Sequence, residues 1–142
     1  MSVSIKILGP GDGTVLENVA DVFDNPVDPR WAAEFLADER HHLAVAISAG
    51  QVVGMASAVH YVHPDKPPEL WINEVGVDEA HRNQGLGRRL LAALFERGRA
   101  LGCGQAWVLT DESNAAARRL YAAAGGEETR EIVMVSFDLG DA

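Results

Sequence analysis

The sequence predicts a mixed α/β (α+β) fold on three observations. Alternating apolar runs occur near both ends and in the middle of the chain, amphipathic helical runs separate them, and a strand–helix–strand unit lies at the centre with a helix that opens on two glycines. Two strands joined by a crossover helix imply at least one parallel pair. The 142 residues, 47% hydrophobic and 23% charged, suit one core, so residues 1–142 read as a single domain.

Val3, Ile5 and Ile7 alternate with polar neighbours as in a half-buried strand, and the glycine-rich run from Gly9 to Gly13 ends it. Val15, Leu16, Val19, Ala20 and Phe23 stand at helical spacing and predict a helix over 14–23, stopped by the run Asp24 to Pro29. A second helix starts at about Pro29 with Phe35 and Leu36 inward. Leu43, Val45 and Ile47 alternate, residues 48–51 turn, and Val52 to Val62 is β-branched and small, which predicts an antiparallel hairpin.

After the proline loop 63–68, Leu70 to Val77 reads as a strand carrying Glu74 and Gly76, and a glycine inside a strand marks a bulge or a close backbone approach. Leu86, Leu90, Leu91, Leu94, Phe95 and Leu101 line one face of a helix from Gly85, which Gly102 closes. Ala106 to Leu109 forms a strand, Ser113 or Asn114 caps a helix to about Ala124, and Glu131 to Leu139 alternates as a final strand. The predicted order is β, α, α, β, β, β, α, β, α, β.

Twelve Lys and Arg against 21 Asp and Glu give a formal net charge of -9, which argues against neutralisation of phosphate backbones and points away from nucleic acid and anionic membranes as partners. Cationic partners are favoured. The single cysteine, Cys103, excludes an internal disulfide and a thiolate-rich zinc site. With no signal-like N-terminus and no membrane-length apolar run, the expected location is the cytoplasm. His60 and His63 lie beside Asp65 without further ligands, so no metal is expected.

Most of the chemistry concentrates between Val75 and Leu91. A strand ends, a short polar turn follows, and Gly85 and Gly87 open a long helix. Unpaired N–H groups at such a helix start, with no Cβ on either glycine, suit a pyrophosphate, and Arg82 and Arg88 add charge. No Gly-Lys-Ser/Thr follows, which excludes a P-loop, and the mid-chain position does not suit a Rossmann fingerprint.

The run Arg82-Asn83-Gln84-Gly85-Leu86-Gly87 resembles the Gln/Arg-x-x-Gly-x-Gly/Ala signature of the GNAT superfamily of N-acetyltransferases, and the run Ser113 to Gly125, with Asn114, Leu120 and Tyr121, resembles that superfamily's second cofactor motif. The resemblance covers essentially the whole chain. It implies a mostly antiparallel mixed sheet with a splayed central parallel pair, flanked by about four helices, and acetyl-CoA as cosubstrate. It places the pantetheine against Val75, Gly76 and Val77, and the pyrophosphate against Arg82, Asn83, Gln84, Gly85, Leu86, Gly87 and Arg88. Asn114, Ala117 and Tyr121 complete the implied cofactor set.

The same resemblance makes Tyr121 the general acid for the departing thiolate, whose conjugate acid has a pKa near 8.5, about that of cysteine. An amine nucleophile must lose a proton, and Glu74, on the strand beside the acetyl group, is the expected base, with Glu69 second. Gly76 is expected at a bulge that frees an N–H for the thioester oxyanion.

For the acceptor, the stretch Pro67 to Val77 with Asp21-Val22-Phe23-Asp24 is similar to the GNAT-type aminoglycoside 3-N-acetyltransferases, which commonly carry Asp where this chain has Glu74. That implies a small cationic amine held by Asp24, Glu69, Trp71 and Glu74, with Asp21, Asp28 and Trp31 as further walls. Polyamines, metabolites and protein amines are alternative acceptors, and a non-catalytic acyl-CoA-binding module is an alternative of another class. A homodimer is implied by resemblance alone.

Overall fold

The computed structural model describes residues 2–140. Strands β1 (Ser4–Leu8), β2 (His41–Ser48), β3 (Gln51–Tyr61), β4 (Glu69–Val77) and β5 (Gln105–Val108) lie in the sheet in chain order. The first four pair antiparallel, and β4 pairs parallel with β5. Helices α1 (Pro29–Ala37), α2 (Leu86–Ala100) and α3 (Ala115–Ala123) complete the mixed α/β fold.

The β2–β3 hairpin turns where expected. Ala49 and Gly50 both adopt positive φ, 49° and 77°, as a two-residue turn matching the strand twist requires.

Each face of the sheet is covered. Under α2 lie Ala44, Ala46, Gly54, Ala56 and Ala58, small residues that let Leu86, Leu90, Leu91 and Leu94 press close; a Cβ at Gly54 would come within 3.3 Å of Leu90 Cδ1. These leucines are all buried, each worth roughly 1.5–3 kcal/mol relative to exposure. On the other face Leu43, Val45, Val52 and Met55 meet Leu36 of α1 together with Leu16 and Val22. Asp28 caps α1, its Oδ1 accepting from the Arg30 and Trp31 N–H groups at 2.8 and 3.4 Å, with Pro29 in the first turn.

Two expectations are corrected. The helix over 14–23 reduces to a 3-10 turn, Gly13–Glu17, after which the chain runs beside β3: Val52 N–H donates to Asn18 O at 2.9 Å and Ala20 N–H to Val52 O at 2.8 Å. A ten-residue helix rich in β-branched Val is marginal alone, and pairing with β3 satisfies its backbone instead. The strand over Glu131–Leu139 does not form. Residues 127–140 belong to no regular element, and β5 is the sheet's edge, so the parallel pair lies at the edge and not at the centre.

Candidate active site

β5 matches β4 only from Glu69↔Gln105 to Ile72↔Val108, whereas β4 continues to Val77. Among the described residues, 73–77 therefore have no strand on that side, and a wedge opens. The Asp78 N–H donates to the Val53 carbonyl at 2.8 Å. Bonded pairs alternate along an antiparallel ladder, so Gly76/Met55 and Glu74/Ser57 are bonded pairs, and Val75 and Val77 turn their N–H and C=O groups to the wedge. This is the orientation expected of a backbone that binds an extended ligand. The Val77 carbonyl accepts from Arg82 Nε at 3.0 Å, which ties the polar turn to the strand end.

The bulge sits at a different residue from the one expected. Register passes from Ser57↔Glu74 to Ala58↔Ile72, leaving out Asn73, while Gly76 pairs regularly with Met55. Gly76 has another requirement: a Cβ there would overlap the Val22 carbonyl oxygen and lie 3.3 Å from its carbon. Of the two readings of a strand glycine, close backbone approach holds. The extra residue at Asn73 has its own consequence, because regular alternation from Trp71 would send Glu74 into the α2 core. The bulge turns Glu74 back to the face of Glu69 and Trp71.

The start of α2 is open. Gly85 is its N-cap with φ 76°, Asn83 also has positive φ at 62°, and no side chain caps the helix. Its first N–H groups thus lack partners and the positive end of its dipole points outward. Gly85 serves this by backbone conformation, since a Cβ there meets nothing within 4 Å. Gly87 serves packing: a Cβ would approach Leu120 Cδ2 and Cδ1 of α3 at 3.0 and 3.1 Å. Arg82, Asn83, Gln84 and Arg88 are exposed around this opening, and Leu86 is buried beneath it.

Asn114 is the α3 cap, its Oδ1 accepting from Ala117 N–H at 3.0 Å. Ser113 bonds Asp111 instead. Two turns into α3, Tyr121 is half-buried against the same cluster that Val75, Val77 and Val108 join from the two sides of the wedge. Burial pushes its phenol pKa above the ordinary 10, which keeps the proton on oxygen.

On the opposite face a cleft of about 340 Å³ is lined by Phe23, Asp24, Asp28, Trp31, Phe35, Met55, Ser57 and Glu74 among others. It brings together Glu74, Asp24, Asp28 and Trp31, and Trp31 stands 72% exposed at the cleft. The two other residues expected to hold the acceptor, Trp71 and Glu69, lie toward the start of β4. Trp71 stacks on Trp107 of β5 with centroids 5.0 Å apart, and Glu69 Oε2 contacts His63 Nε2 at 2.7 Å. Asp21 is exposed and outside the cleft lining. Sequence reasoning missed Ser57 and Phe35 as lining residues; the hairpin alternation, which puts Met55 and Ser57 on one face of β3, was the signal for Ser57.

His60 and His63 have protein partners. His60 Nδ1 meets His42 Nε2 at 2.7 Å, and His63 meets Glu69. Among the described residues no group of three or more His, Cys, Asp or Glu could hold a metal.

Residues 14–125 match the acetyltransferase (GNAT) family. The chain is 33% identical over 110 residues to the N-alpha-acetyltransferase RimI of Mycobacterium tuberculosis (strain ATCC 25618 / H37Rv), covering 78% of this chain and 67% of RimI. Its fold is similar to an aminoglycoside acetyltransferase, meta-AAC0020, from an uncultured soil metagenomic sample in complex with sisomicin, with a TM-score of 0.82 at 19% identity over 97% of each chain. It is likewise similar to AAC(6')-Iy in complex with a bisubstrate analog, CoA-S-monomethyl-acetylneamine, with a TM-score of 0.81 at 20% identity over 97% of this chain and 99% of that one. The family match takes in the wedge strand, the glycine-opened helix and α3 alike, and the protein is a member of the GNAT family of N-acetyltransferases.

Proposed function

We propose that this GNAT acetyltransferase transfers acetyl directly to a primary amine of a small cationic acceptor, an aminoglycoside acetylated at its 3-amino group, in the cytoplasm and without a covalent acyl-enzyme. The observation that carries the reading is the cleft in which Glu74, Asp24 and Asp28 stand with an exposed tryptophan, Trp31, beside a wedge of unpaired strand backbone. Carboxylates collect and orient ammonium groups, and an indole face packs on a sugar ring.

The residues present fit acetyl-CoA. Val75 and Val77 offer main-chain groups to a pantetheine, the N–H groups from Asn83 to Arg88 and the Arg82 and Arg88 side chains suit a diphosphate, and Asn114 and Ala117 flank Tyr121 at the start of α3. When bound, that cosubstrate supplies an acetyl group activated as a thioester. Glu74 takes a proton from the acceptor ammonium, directly or through a water, so that the free amine forms the C–N bond as the C–S bond breaks. Tyr121 holds its proton for the departing sulfur. Its burial supports this role, because a phenol kept neutral is a donor.

Purified protein is given acetyl-CoA and a panel of amines, with release of free thiol followed and the product's acetylation site assigned by NMR. Turnover on a 2-deoxystreptamine aminoglycoside with the acetyl on the 3-amino group supports the reading. A 6'-acetylated product overturns the regiochemistry, and inactivity on every aminoglycoside overturns the acceptor class. The similarity to RimI favours one second reading, a protein α-amine, which a panel containing peptides with free N-termini separates.

A further inference from the structure

The floor of the cleft holds a polar side chain with no role in the reading above. Ser57 lies on β3, the middle strand of the sheet, and its direct neighbours across the two ladders are Leu43 of β2 and Glu74 of β4. Around it this face is apolar, with Leu43, Val45 and Met55 in the core beneath α1. A hydroxyl among apolar groups is unfavourable unless it is hydrogen-bonded, so packing alone does not account for a serine here.

Ser57 is 8% exposed and lines the cleft. Its hydroxyl makes no hydrogen bond among the described residues, and no side-chain nitrogen or oxygen closed off from solvent lacks a partner, so the free surface of this oxygen opens into the cleft. Directly opposed positions of an antiparallel pair hold their Cβ atoms about 4.5–5.5 Å apart, which brings the Ser57 hydroxyl and the Glu74 carboxylate to one small volume of the cleft floor. Each is carried by a strand and not by a loop, as precise placement requires.

We propose that Ser57 positions the reacting nitrogen of the acceptor. The inference deepens the reading of Glu74 as the base and rests on it, but not on the aminoglycoside class. A primary ammonium that gives one proton to Glu74 keeps two N–H bonds and gains the lone pair that forms the C–N bond as the C–S bond breaks. A serine hydroxyl has one donor and two acceptor sites. On binding, its oxygen accepts one of those N–H bonds and its O–H donates to the Glu74 carboxyl group, so Ser57 keeps its own proton throughout. Holding that N–H stops the rotation about the amine's C–N axis that would swing the lone pair away from the thioester carbon. An N-methyl amine puts a methyl group where Ser57 requires a hydrogen.

Ser57→Ala tests this with two pairs of probes: a 2-deoxystreptamine aminoglycoside and its derivative methylated on the nitrogen that is acetylated, and a peptide with a free N-terminus and its N-methyl counterpart. Thiol release is followed beside a thermal melt. The unsubstituted chain should favour the primary amine of the pair it accepts, and Ser57→Ala should lose roughly tenfold in kcat/KM on that amine and little on its methylated partner, the worth of one hydrogen bond to a charged group. Tm should hold or rise, because alanine removes a hydroxyl that has no protein partner. A primary-to-secondary ratio that Ser57→Ala leaves unchanged overturns the proposal and leaves the base reading standing. A fall of several degrees in Tm with equal losses on both amines overturns it too, since that is the signature of a structural role. Full activity in Glu74→Gln, or no thiol release from any probe with the unsubstituted chain, overturns the base reading and the proposal together.

Discussion

Gly76→Ala tests how the cleft proposed for the acceptor is held. The added methyl has no room, because it would overlap the Val22 carbonyl oxygen, a backbone atom that no rotamer change can move. Val22 is itself fixed, with its side chain 8% exposed in the core, its N–H donating to Ala20 O at 2.9 Å, and Ala20 bound to Val52. Forcing a methylene into such a contact costs about 1–3 kcal/mol. For a domain of this size that is a fall in Tm of roughly 3–15 °C.

The displaced segment continues into Phe23 and Asp24, which line the cleft, whereas the outward groups of Val75 and Val77 and the open end of α2 stay in place. KM for the amine should therefore rise several-fold while that for acetyl-CoA changes little, measured by thiol release beside a thermal melt. Gly54→Ala is the control. Its methyl would meet the flexible end of Leu90 at 3.3 Å, on the other face, and should lower Tm without touching the acceptor KM. An unchanged Tm in Gly76→Ala, or equal effects on both Michaelis constants, would refute the reasoning.

Glu74→Gln and Tyr121→Phe should each lower kcat by about 10²–10⁴-fold, the ordinary worth of a positioned acid or base, with folding unchanged by circular dichroism; full activity in either removes that residue's role. Deletion of Asn73 should leave the protein folded, since pairing already passes over that residue, but remove the bend that parts β4 from β5, and calorimetry should then show CoA binding weakened about tenfold or more. His42 is buried, and desolvation, with His60 and Arg97 beside it, lowers its pKa from 6.5 to about 4. The unfolded chain binds that proton more readily, so stability is full above about pH 6.5 and falls as pH drops toward about 4, by up to about 3 kcal/mol. Urea titrations at pH 7 and pH 4.5 should show this loss, and His42→Gln should reduce it.

The fold's central unit was readable because its signals are local. Leu86, Leu90, Leu91 and Leu94 repeat at helical spacing, Gly85 needs a left-handed φ, and Asn114 sits where its side chain caps α3. The failures share a cause too. Val15, Val19 and Phe23 have helical spacing, yet the contact that decides their structure is with Val52, more than thirty residues on. The alternation from Glu131 to Leu139 predicts a strand that does not form, because a strand needs an edge to pair with and no periodicity names one. Gly76 was visible as a special position, while Val22, the reason for it, lies more than fifty residues away.

The bulge at Asn73 lies deeper still, since nothing in that residue's own character announces it. It joins two requirements of the site. A wedge needs β4 to part from β5, and pairing stops at Ile72↔Val108, one residue before the bulge. The proposed base, Glu74, needs to face the cleft proposed for the acceptor, and strict alternation from Trp71 would have buried it under α2. One extra residue meets both demands, bending the strand away from its neighbour and reversing the phase of residues 74–77. The main-chain half of the proposed site at Val75 and Val77 and the carboxylate of Glu74 are therefore set by a single irregularity. A change in β4 that shifts its phase should disturb both together, while a change in the 18–28 segment should disturb the cleft alone.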